Sequence, residues 1–212
     1  MLIVVTGGIG SGKSEACRIL SRKYGYPVYD ADSKVKDLYA AYPSIVETLE
    51  SELDCRLRNE ENKFVPSLLA ARIFTDKSAL ETVESVVFPY LLEDFRKFSE
   101  LNGGNIVFES ATILEKKAFA DFGDYVLLID APVEVRLERA CARDAADRKK
   151  VISRMANQVL MNAISDGSIE DYPKESELAA AYGRVNYRIM NEGSIDGLEA
   201  SLDKVISEIL KK

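Results

Sequence analysis

The feature that most constrains this chain is residues 7–14, GGIGSGKS, which have the form G-x-x-x-x-G-K-[ST]. They follow the apolar run Leu2–Thr6, which is typical of a buried strand, and a helical pattern begins at Ser14. Glycines let the backbone curl so that successive N–H groups point inward, and the helix adds its unpaired N–H groups and positive dipole end. A strand, a glycine-rich loop and a helix in this order therefore predict a cradle for nucleotide phosphates.

Each part of the loop has an expected task. The backbone holds the phosphates, Lys13 contacts the β- and γ-phosphates, and the Ser14 hydroxyl reaches Mg²⁺. The alternative is a glycine-rich turn that matches by chance, and the strand–loop–helix context argues against it. The predicted nucleotide-binding residues in this segment are Gly8, Ile9, Gly10, Ser11, Gly12, Lys13, Ser14 and Glu15.

Composition narrows the class of protein. The 212 residues are 47% hydrophobic and 30% charged, as expected of one globular α/β domain with a full core. A net charge of −7 argues against general nucleic-acid binding, which needs a basic surface. The chain has no histidine, so a general base must be another group. ATP, Mg²⁺ and a small-molecule substrate are the expected partners.

The cysteines and the apolar runs bear on location. Cys17, Cys55 and Cys141 are too scattered to predict a disulfide framework or a zinc site. The first residues lack the basic leader of a signal peptide, and the apolar runs are shorter than a membrane span. We expect a cytoplasmic protein without a membrane partner, as a monomer or a weak homo-oligomer.

Five runs of apolar and β-branched residues predict strands: Leu2–Thr6, 27–30, Ile106–Glu109, Tyr125–Asp130 and 187–191. Helical periods fill the gaps, so the fold class is α/β with a five-stranded parallel sheet. Within a single domain, 1–212, we expect a core of 1–32, 101–135 and 184–212. Residues 33–100 predict a wholly helical substrate-binding insertion, and 136–183 a lid region. The polar stretch 165–177 predicts an exposed loop or a helix start.

The sequence also separates a kinase from a GTPase. A GTPase would carry N-K-x-D to read guanine, and the nearest string, residues 62–65, is NKFV without the carboxylate. A kinase needs a carboxylate near the acceptor hydroxyl, and Asp30 and Asp32 follow the second strand at the sheet edge where the phosphate loop lies. Asp32 is the candidate base, and an N-cap of the next helix is the alternative for it.

A basic cluster follows the fourth strand. Arg136, Arg139 and Arg143 fall at i, i+3 and i+7, on one helical face, in a protein that is acidic overall. One interpretation is a solvated helix with i,i+4 ion pairs. The other is a hinged lid that brings arginine to the transferring phosphoryl group, where charge stabilisation is most of what the chemistry needs.

Taken together, these motifs resemble the dephospho-CoA kinase family along the whole chain. The resemblance rests on TGGIGSGKS at 6–14, YDAD at 29–32, the segments 109–115 and 139–144, and MN at 190–191. It implies a nucleoside-monophosphate-kinase-like P-loop NTPase fold with a helical CoA subdomain and a lid. It also implies transfer of the γ-phosphoryl of ATP to the 3′-hydroxyl of dephospho-CoA, the last step of coenzyme A synthesis.

The resemblance carries roles onto individual residues. It makes Asp32 the base for the 3′-hydroxyl and Arg143 the lid arginine, so the catalytic set is Asp32, Lys13 and Arg143. It places Asn191 near the adenine of ATP. Ser14 and Glu109 become the metal residues, with Glu109, where the family usually has aspartate, holding Mg²⁺ through water.

The chain departs from the family pattern in the acceptor half. Phe88 precedes Pro89 where the family has a His-Pro pair, Pro66 stands at the place of an arginine, and the segment 111–115 is altered, beginning with Ala111. Two other functions therefore stay open at this point. One is a P-loop kinase for another nucleoside- or CoA-like small molecule, and the other is a nucleotide- or CoA-binding protein without activity.

Overall fold

A parallel five-stranded sheet organises the part of the chain that the computed structural model describes, which is residues 1–212 without the side chain of Thr75. The strand order is β2-β3-β1-β4-β5, and all neighbours pair in parallel. The predicted α/β class and all five predicted strands are confirmed. The strands are β1 Leu2–Thr6, β2 Val28–Asp30, β3 Ile106–Glu109, β4 Tyr125–Asp130 and β5 Tyr187–Met190.

The chain divides into two units, one of Met1–Asp30 with Gly103–Lys212 and one of Ala31–Asn102. The first contains the sheet and six helices of its described residues: α1 Lys13–Tyr24, α6 Val133–Asp144, α7 Arg148–Ala156, α8 Val159–Ser165, α9 Glu177–Gly183 and α10 Ile195–Ile209. The second contains α2 Ala31–Ala41, α3 Pro43–Glu52, α4 Pro66–Thr75 and α5 Lys77–Asn102. The predicted lid region, 136–183, thus lies within the unit of the sheet.

Helices and loops bury both faces of the sheet, which is why its strands read as continuous apolar runs. On one face, Ile3 and Val5 of β1 pack with α1 and α10, where Leu20 and Leu202 are fully buried. On the other face, Phe108 of β3 packs against rings of the segment that precedes β4, Phe119 and Phe122. Each fully buried aliphatic side chain stabilises the fold by about 1.5–3 kcal/mol.

The insertion is not wholly helical, and that expectation was wrong for residues 53–65. There Arg58 and Phe64 form an antiparallel bridge. The turn between them is held by Asn59, whose Oδ1 accepts the N–H groups of Glu61 at 3.1 Å and Lys63 at 2.9 Å. An asparagine that bonds the backbone in this way competes with helix formation.

The polar stretch 165–177 is more ordered than the expected exposed loop. Ser168–Asp171 form a 3-10 turn in which Ile169 is buried. The helix start that was the other expectation is confirmed at Glu177, where the Ser176 hydroxyl caps α9 by accepting the N–H of Ala179 at 3.2 Å. None of the described helices combines the length and hydropathy that a membrane span requires.

Candidate active site

The predicted phosphate loop joins β1 to α1 and turns back on itself. The Ser11 N–H donates to the Gly8 carbonyl at 3.1 Å. Helix α1 then begins at Lys13, preceded by Gly12 with a φ of 98°, a left-handed conformation that favours glycine. Because Gly12 has no side chain, no cap covers the N–H groups of the first helical turn. The loop therefore has the open, positive helix end that binds phosphate.

Lys13 lies over this loop. Its Nζ donates to the Gly8 carbonyl at 3.4 Å, and the residue is half-buried. A lysine held by this loop would place its charge next to any phosphate that the loop binds, and that contact stays a prediction. Glu15, the last of the predicted nucleotide-binding residues in this segment, pairs on the surface with Arg18 at 2.8 Å.

Asn191 supports the loop from behind. Its Nδ2 donates to the Ser11 carbonyl at 2.8 Å, and the residue is 8% exposed. The backbone carbonyl of Asn191 accepts a hydrogen bond from Arg139 Nη1 at 3.0 Å. A Cβ at Gly12 would lie 2.2 Å from Asn191 Nδ2, so only glycine fits there. The structure thus joins Asn191 to the phosphate loop, while the adenine contact that the resemblance implies stays a prediction.

Ser14 and Glu109, the two predicted metal residues, are in contact. The Ser14 hydroxyl donates to Glu109 Oε1 at 2.8 Å, and Glu109 is buried at the end of β3, beside Val5 of β1 and Asp30 of β2 in the sheet register. Burial raises the pKa of the Cys17 thiol, and the charge of Glu109 and a hydrogen bond with it raise it further. The carboxylate of Glu109 is therefore held between a hydroxyl and a protonated thiol.

These residues fit a magnesium ion that is bound together with phosphates. Mg²⁺ prefers oxygen ligands, keeps several waters and is usually held by one or two protein groups plus substrate phosphates. Ser14 is exposed, and its hydroxyl lies one hydrogen bond from the carboxylate of Glu109. Among the described residues, no group of three or more His, Cys, Asp or Glu side chains would hold a metal ion by itself.

Arg136 is a site residue that the sequence analysis named but assigned to the wrong environment. Its side chain is 0% exposed, so both interpretations of the basic helix face, a solvated surface and a lid surface, were wrong for it. Its Nε donates to the Ile9 carbonyl at 3.1 Å and its Nη1 to the Ser165 hydroxyl at 2.8 Å. Asp130 lies 3.9 Å from Nη1. Burial lowers the pKa of Arg136, and the charge of Asp130 opposes that shift.

A signal for Arg136 was present in the sequence. Arg136 and Ala140 are one helical turn apart on the same side of α6, and Leu137 lies beside them; the structure buries all three. An arginine on the apolar side of a helix needs a partner in the interior. The spacing from Arg136 to Ala140 places Arg136 on the apolar side of the helix and so indicates a buried arginine. The spacing from Arg136 to Arg139 and Arg143 indicates only a positively charged face.

Comparison with known proteins decides the family. Residues 1–165 match the profile of dephospho-CoA kinase. A dephospho-CoA kinase of Porphyromonas gingivalis is 36% identical over 176 residues, which is 81% of this chain and 86% of the relative. The chain belongs to the dephospho-CoA kinase family. It is therefore a P-loop kinase, as predicted, and the GTPase alternative is excluded.

The similarity continues past residue 165. A dephospho-CoA kinase of Corynebacterium glutamicum is 30% identical over 211 residues, 98% of both chains. The crystal structure of TT1252 from Thermus thermophilus superimposes with a TM-score of 0.74 at 27% identity, over 98% of this chain and 97% of that one. The dephospho-CoA kinase resemblance and the predicted fold are thus confirmed along the chain.

Arg143, the lid arginine that the family resemblance implies, lies at the exposed end of α6. Its Nε and Nη2 donate to the Asp144 carboxylate at 2.7 and 3.0 Å, and Arg154 Nη1 donates to the same carboxylate at 2.7 Å. Arg143 and Arg154 hold the pKa of Asp144 well below its usual range. The observed partner of Arg143 is thus Asp144, and its contact with phosphate stays a prediction.

Asp32, the predicted base, belongs to the second unit. Helix α2 begins at Ala31, directly after β2, so Asp32 is its second residue and is exposed. The N-cap alternative was therefore wrong, because the cap position precedes the helix. A carboxylate in the first turn is still favourable beside the helix dipole. The role of Asp32 as a base stays a prediction for this member of the dephospho-CoA kinase family.

Two of the departures from the family pattern, Pro66 and Phe88, lie in helices, and Ala111 lies just before a 3-10 turn. Pro66 is the first residue of α4, where its fixed φ suits a helix start and no N–H is needed. Phe88 lies within α5, and Ala111 precedes a 3-10 turn of Ile113–Glu115 whose Ile113 and Leu114 are buried. Pro66 therefore has a local structural reason.

Proposed function

We propose that this chain transfers the γ-phosphoryl group of ATP to the 3′-hydroxyl of dephospho-CoA, the final step of coenzyme A synthesis. The observation that supports the proposal is the open phosphate loop, in which the Ser14 hydroxyl donates a hydrogen bond to Glu109. The loop occurs in a chain of the dephospho-CoA kinase family. The 3′-oxygen bonds to the γ-phosphorus while the bond to the β–γ bridging oxygen breaks, and ADP leaves. The hydroxyl proton passes to a carboxylate.

The phosphate loop binds and orients the nucleotide. Its curled backbone and the uncapped start of α1 surround the β- and γ-phosphates, and Lys13 adds a positive charge. Ser14 would ligate Mg²⁺ and Glu109 would hold it through water. The ion would supply positive charge that neutralises the charge developing on the phosphates. The chain contributes mainly position and charge, which is most of the catalysis in phosphoryl transfer.

Asp32 accepts the proton of the 3′-hydroxyl, and Arg143 stabilises the transferring phosphoryl group. Asp32 follows Asp30 by two residues, and Asp30 pairs in register with Glu109 at the carboxyl end of the sheet. This chain position supports Asp32 as the acceptor-side carboxylate. Arg143 would exchange Asp144 for phosphate, and because that ion pair is exposed the exchange costs little. We expect the protein to act in the cytoplasm.

A coupled assay of ADP release tests the proposal, with ATP and Mg²⁺ in the presence and absence of dephospho-CoA. We expect dephospho-CoA to stimulate ADP release and the product to gain the mass of one phosphoryl group on the ribose. If dephospho-CoA does not stimulate ADP release by a protein that binds ATP, this acceptor is excluded and a kinase for another substrate is favoured. Tight dephospho-CoA binding without product would favour a non-catalytic protein.

A pair of lysines in α1 provides a matched control. Lys13→Met removes the charge over the loop, and we expect it to lower kcat/KM by about 10²-fold or more, since it removes charge stabilisation at the phosphates. Lys23→Met removes a lysine from the same helix that pairs on the surface with Glu199 and Asp203. It should retain activity, because exposed ion pairs contribute little to stability.

A further inference from the structure

The peptide of Ile9, in the phosphate loop, is held from both sides by residues far along the chain. Gln158 Oε1 accepts the Ile9 N–H at 2.8 Å, and Arg136 Nε donates to the Ile9 carbonyl at 3.1 Å. Both residues are buried: Gln158 is 7% exposed and Arg136 is 0% exposed. Hydrogen bonds of this kind fix the orientation of a peptide, because releasing a buried polar group costs free energy.

The guanidinium of Arg136 is itself anchored behind the loop. Ser165 at the end of α8 accepts its Nη1 at 2.8 Å, and the Ser165 hydroxyl donates to Asp130 at 3.3 Å. The Asp130 carboxylate also accepts a hydrogen bond from Arg188 Nη2 at 2.7 Å and one from the N–H of Ala131 at 2.8 Å. The guanidinium therefore cannot turn away from the loop without breaking bonds to buried groups.

The loop rests directly on this guanidinium. A Cβ built on Gly8 would lie 2.1 Å from Arg136 Nη2 and 2.5 Å from Cζ, and one on Gly10 would lie 2.0 Å from the Arg136 carbonyl. Gly8 does not have a positive φ, so the lack of space, and not the backbone conformation, requires glycine there. Arg136 Nη2 has no hydrogen-bond partner among the residues that the structure describes.

Only two of the three charges at this place are buried. The side chains of Arg136 and Asp130 are 0% and 4% exposed, whereas that of Arg188, which also contacts Asp130, is 35% exposed. Because the two buried charges have opposite signs, Arg136 acts on the loop through its hydrogen bond to Ile9 and its contact with Gly8.

We propose that Arg136 is a positioning residue for the nucleotide: its guanidinium holds Gly8 and Ile9 in the phosphate-binding conformation. The proposal deepens the proposed function, on which it rests for the nature of the ligand. It predicts that Arg136 affects binding of ATP and ADP and leaves binding of dephospho-CoA unchanged. A merely structural arginine would change stability without this selectivity.

Arg136→Met tests the proposal, with Arg184→Met as its matched control. Arg184 is a half-buried arginine of the same unit, and its Nη2 donates to the Phe119 carbonyl, outside the phosphate loop. Calorimetry with ADP-Mg²⁺ should show at least about tenfold weaker binding for Arg136→Met, because a charged hydrogen bond to the loop is lost. Arg184→Met should bind ADP like the wild type. The KM for ATP should rise in Arg136→Met while the KM for dephospho-CoA changes less than about twofold.

Gly8→Ala supplies a second, independent variant. The three atoms nearest to the added methyl all belong to Arg136, so the methyl should displace the guanidinium and weaken ADP binding about as much as Arg136→Met. In the double variant the guanidinium is gone and the methyl has more space, so the two losses should not multiply. If Arg136→Met fails to fold, the ADP affinity of Gly8→Ala alone tests the role of Arg136.

Three results distinguish the outcomes. Wild-type affinity for ADP in folded Arg136→Met, or in Gly8→Ala, would overturn the role of Arg136. Losses that multiply in the double variant would also overturn it, since Gly8 and the guanidinium would then act separately. A wild-type protein that binds ADP but leaves dephospho-CoA unmodified would overturn only the proposed acceptor, because the calorimetric test of Arg136 needs no acceptor.

Discussion

Replacement of Asn191 by alanine tests the support of the phosphate loop. The change removes a hydrogen bond of 2.8 Å from Nδ2 to the Ser11 carbonyl in a residue that is 8% exposed. Leaving a buried acceptor without a partner costs about 1–3 kcal/mol. We expect the free energy of unfolding to fall by that amount, and Tm to fall by about 2–4 °C per kcal/mol for a protein of this size.

The same change should weaken nucleotide binding. The Ser11 carbonyl belongs to the peptide before Gly12, so without Asn191 the start of α1 is no longer held in position. If ADP binding must restore that order, its affinity falls by the same 1–3 kcal/mol, or about 5- to 150-fold. Asn191→Asp should lose more affinity than stability, because it adds a negative charge beside the phosphates.

Thermal unfolding and calorimetry with ADP-Mg²⁺ measure the two effects on the same samples. Asn102→Ala is the control: its Nδ2 also donates to a carbonyl, that of Phe98 at 2.7 Å, but in an exposed place where water replaces the bond. It should leave both quantities nearly unchanged. An Asn191→Ala protein with wild-type Tm and ADP affinity within twofold would show that Asn191 does not hold the loop.

Four further predictions concern the site and the buried thiol beside it. Asp32→Asn should lower kcat by about 10²–10⁴-fold with ADP binding unchanged, and an enzyme as fast as the wild type would remove Asp32 from the mechanism. Glu109→Gln should raise the Mg²⁺ concentration for half-maximal activity by about 10- to 100-fold, whereas the exposed Glu134→Gln should not. The thiol of Cys17, which is 2% exposed, should react with a thiol reagent only after unfolding, unlike those of Cys55 and Cys141. Its pKa is raised above the ordinary 9.0, so stability should fall as pH rises past 9.0, where the unfolded chain ionises first, and Cys17→Ala should reduce this fall.

The sequence determined the sheet and the phosphate loop, because both are encoded in consecutive residues. An apolar run, a glycine-rich stretch and a helical period follow one another in the sequence. They predicted the bounds of β1, the loop and the start of α1 to within a residue or two. It also brought Ser14 and Glu109 to one edge, since the ends of parallel strands meet there. Where a local side chain overrode the period, as Asn59 does in its turn, the wholly helical expectation failed.

Only the tertiary structure decided how the loop is supported. Gln158 meets Ile9 across 149 residues, Asn191 meets Ser11 across 180, and Arg136 meets Ile9 across 127. No local period encodes such pairs, because each depends on where α6, α8 and β5 lie relative to the loop. Arg136 illustrates the reason: its charge in the sequence predicts a surface, but the buried carbonyl, hydroxyl and carboxylate that compensate its burial come together only when the chain folds.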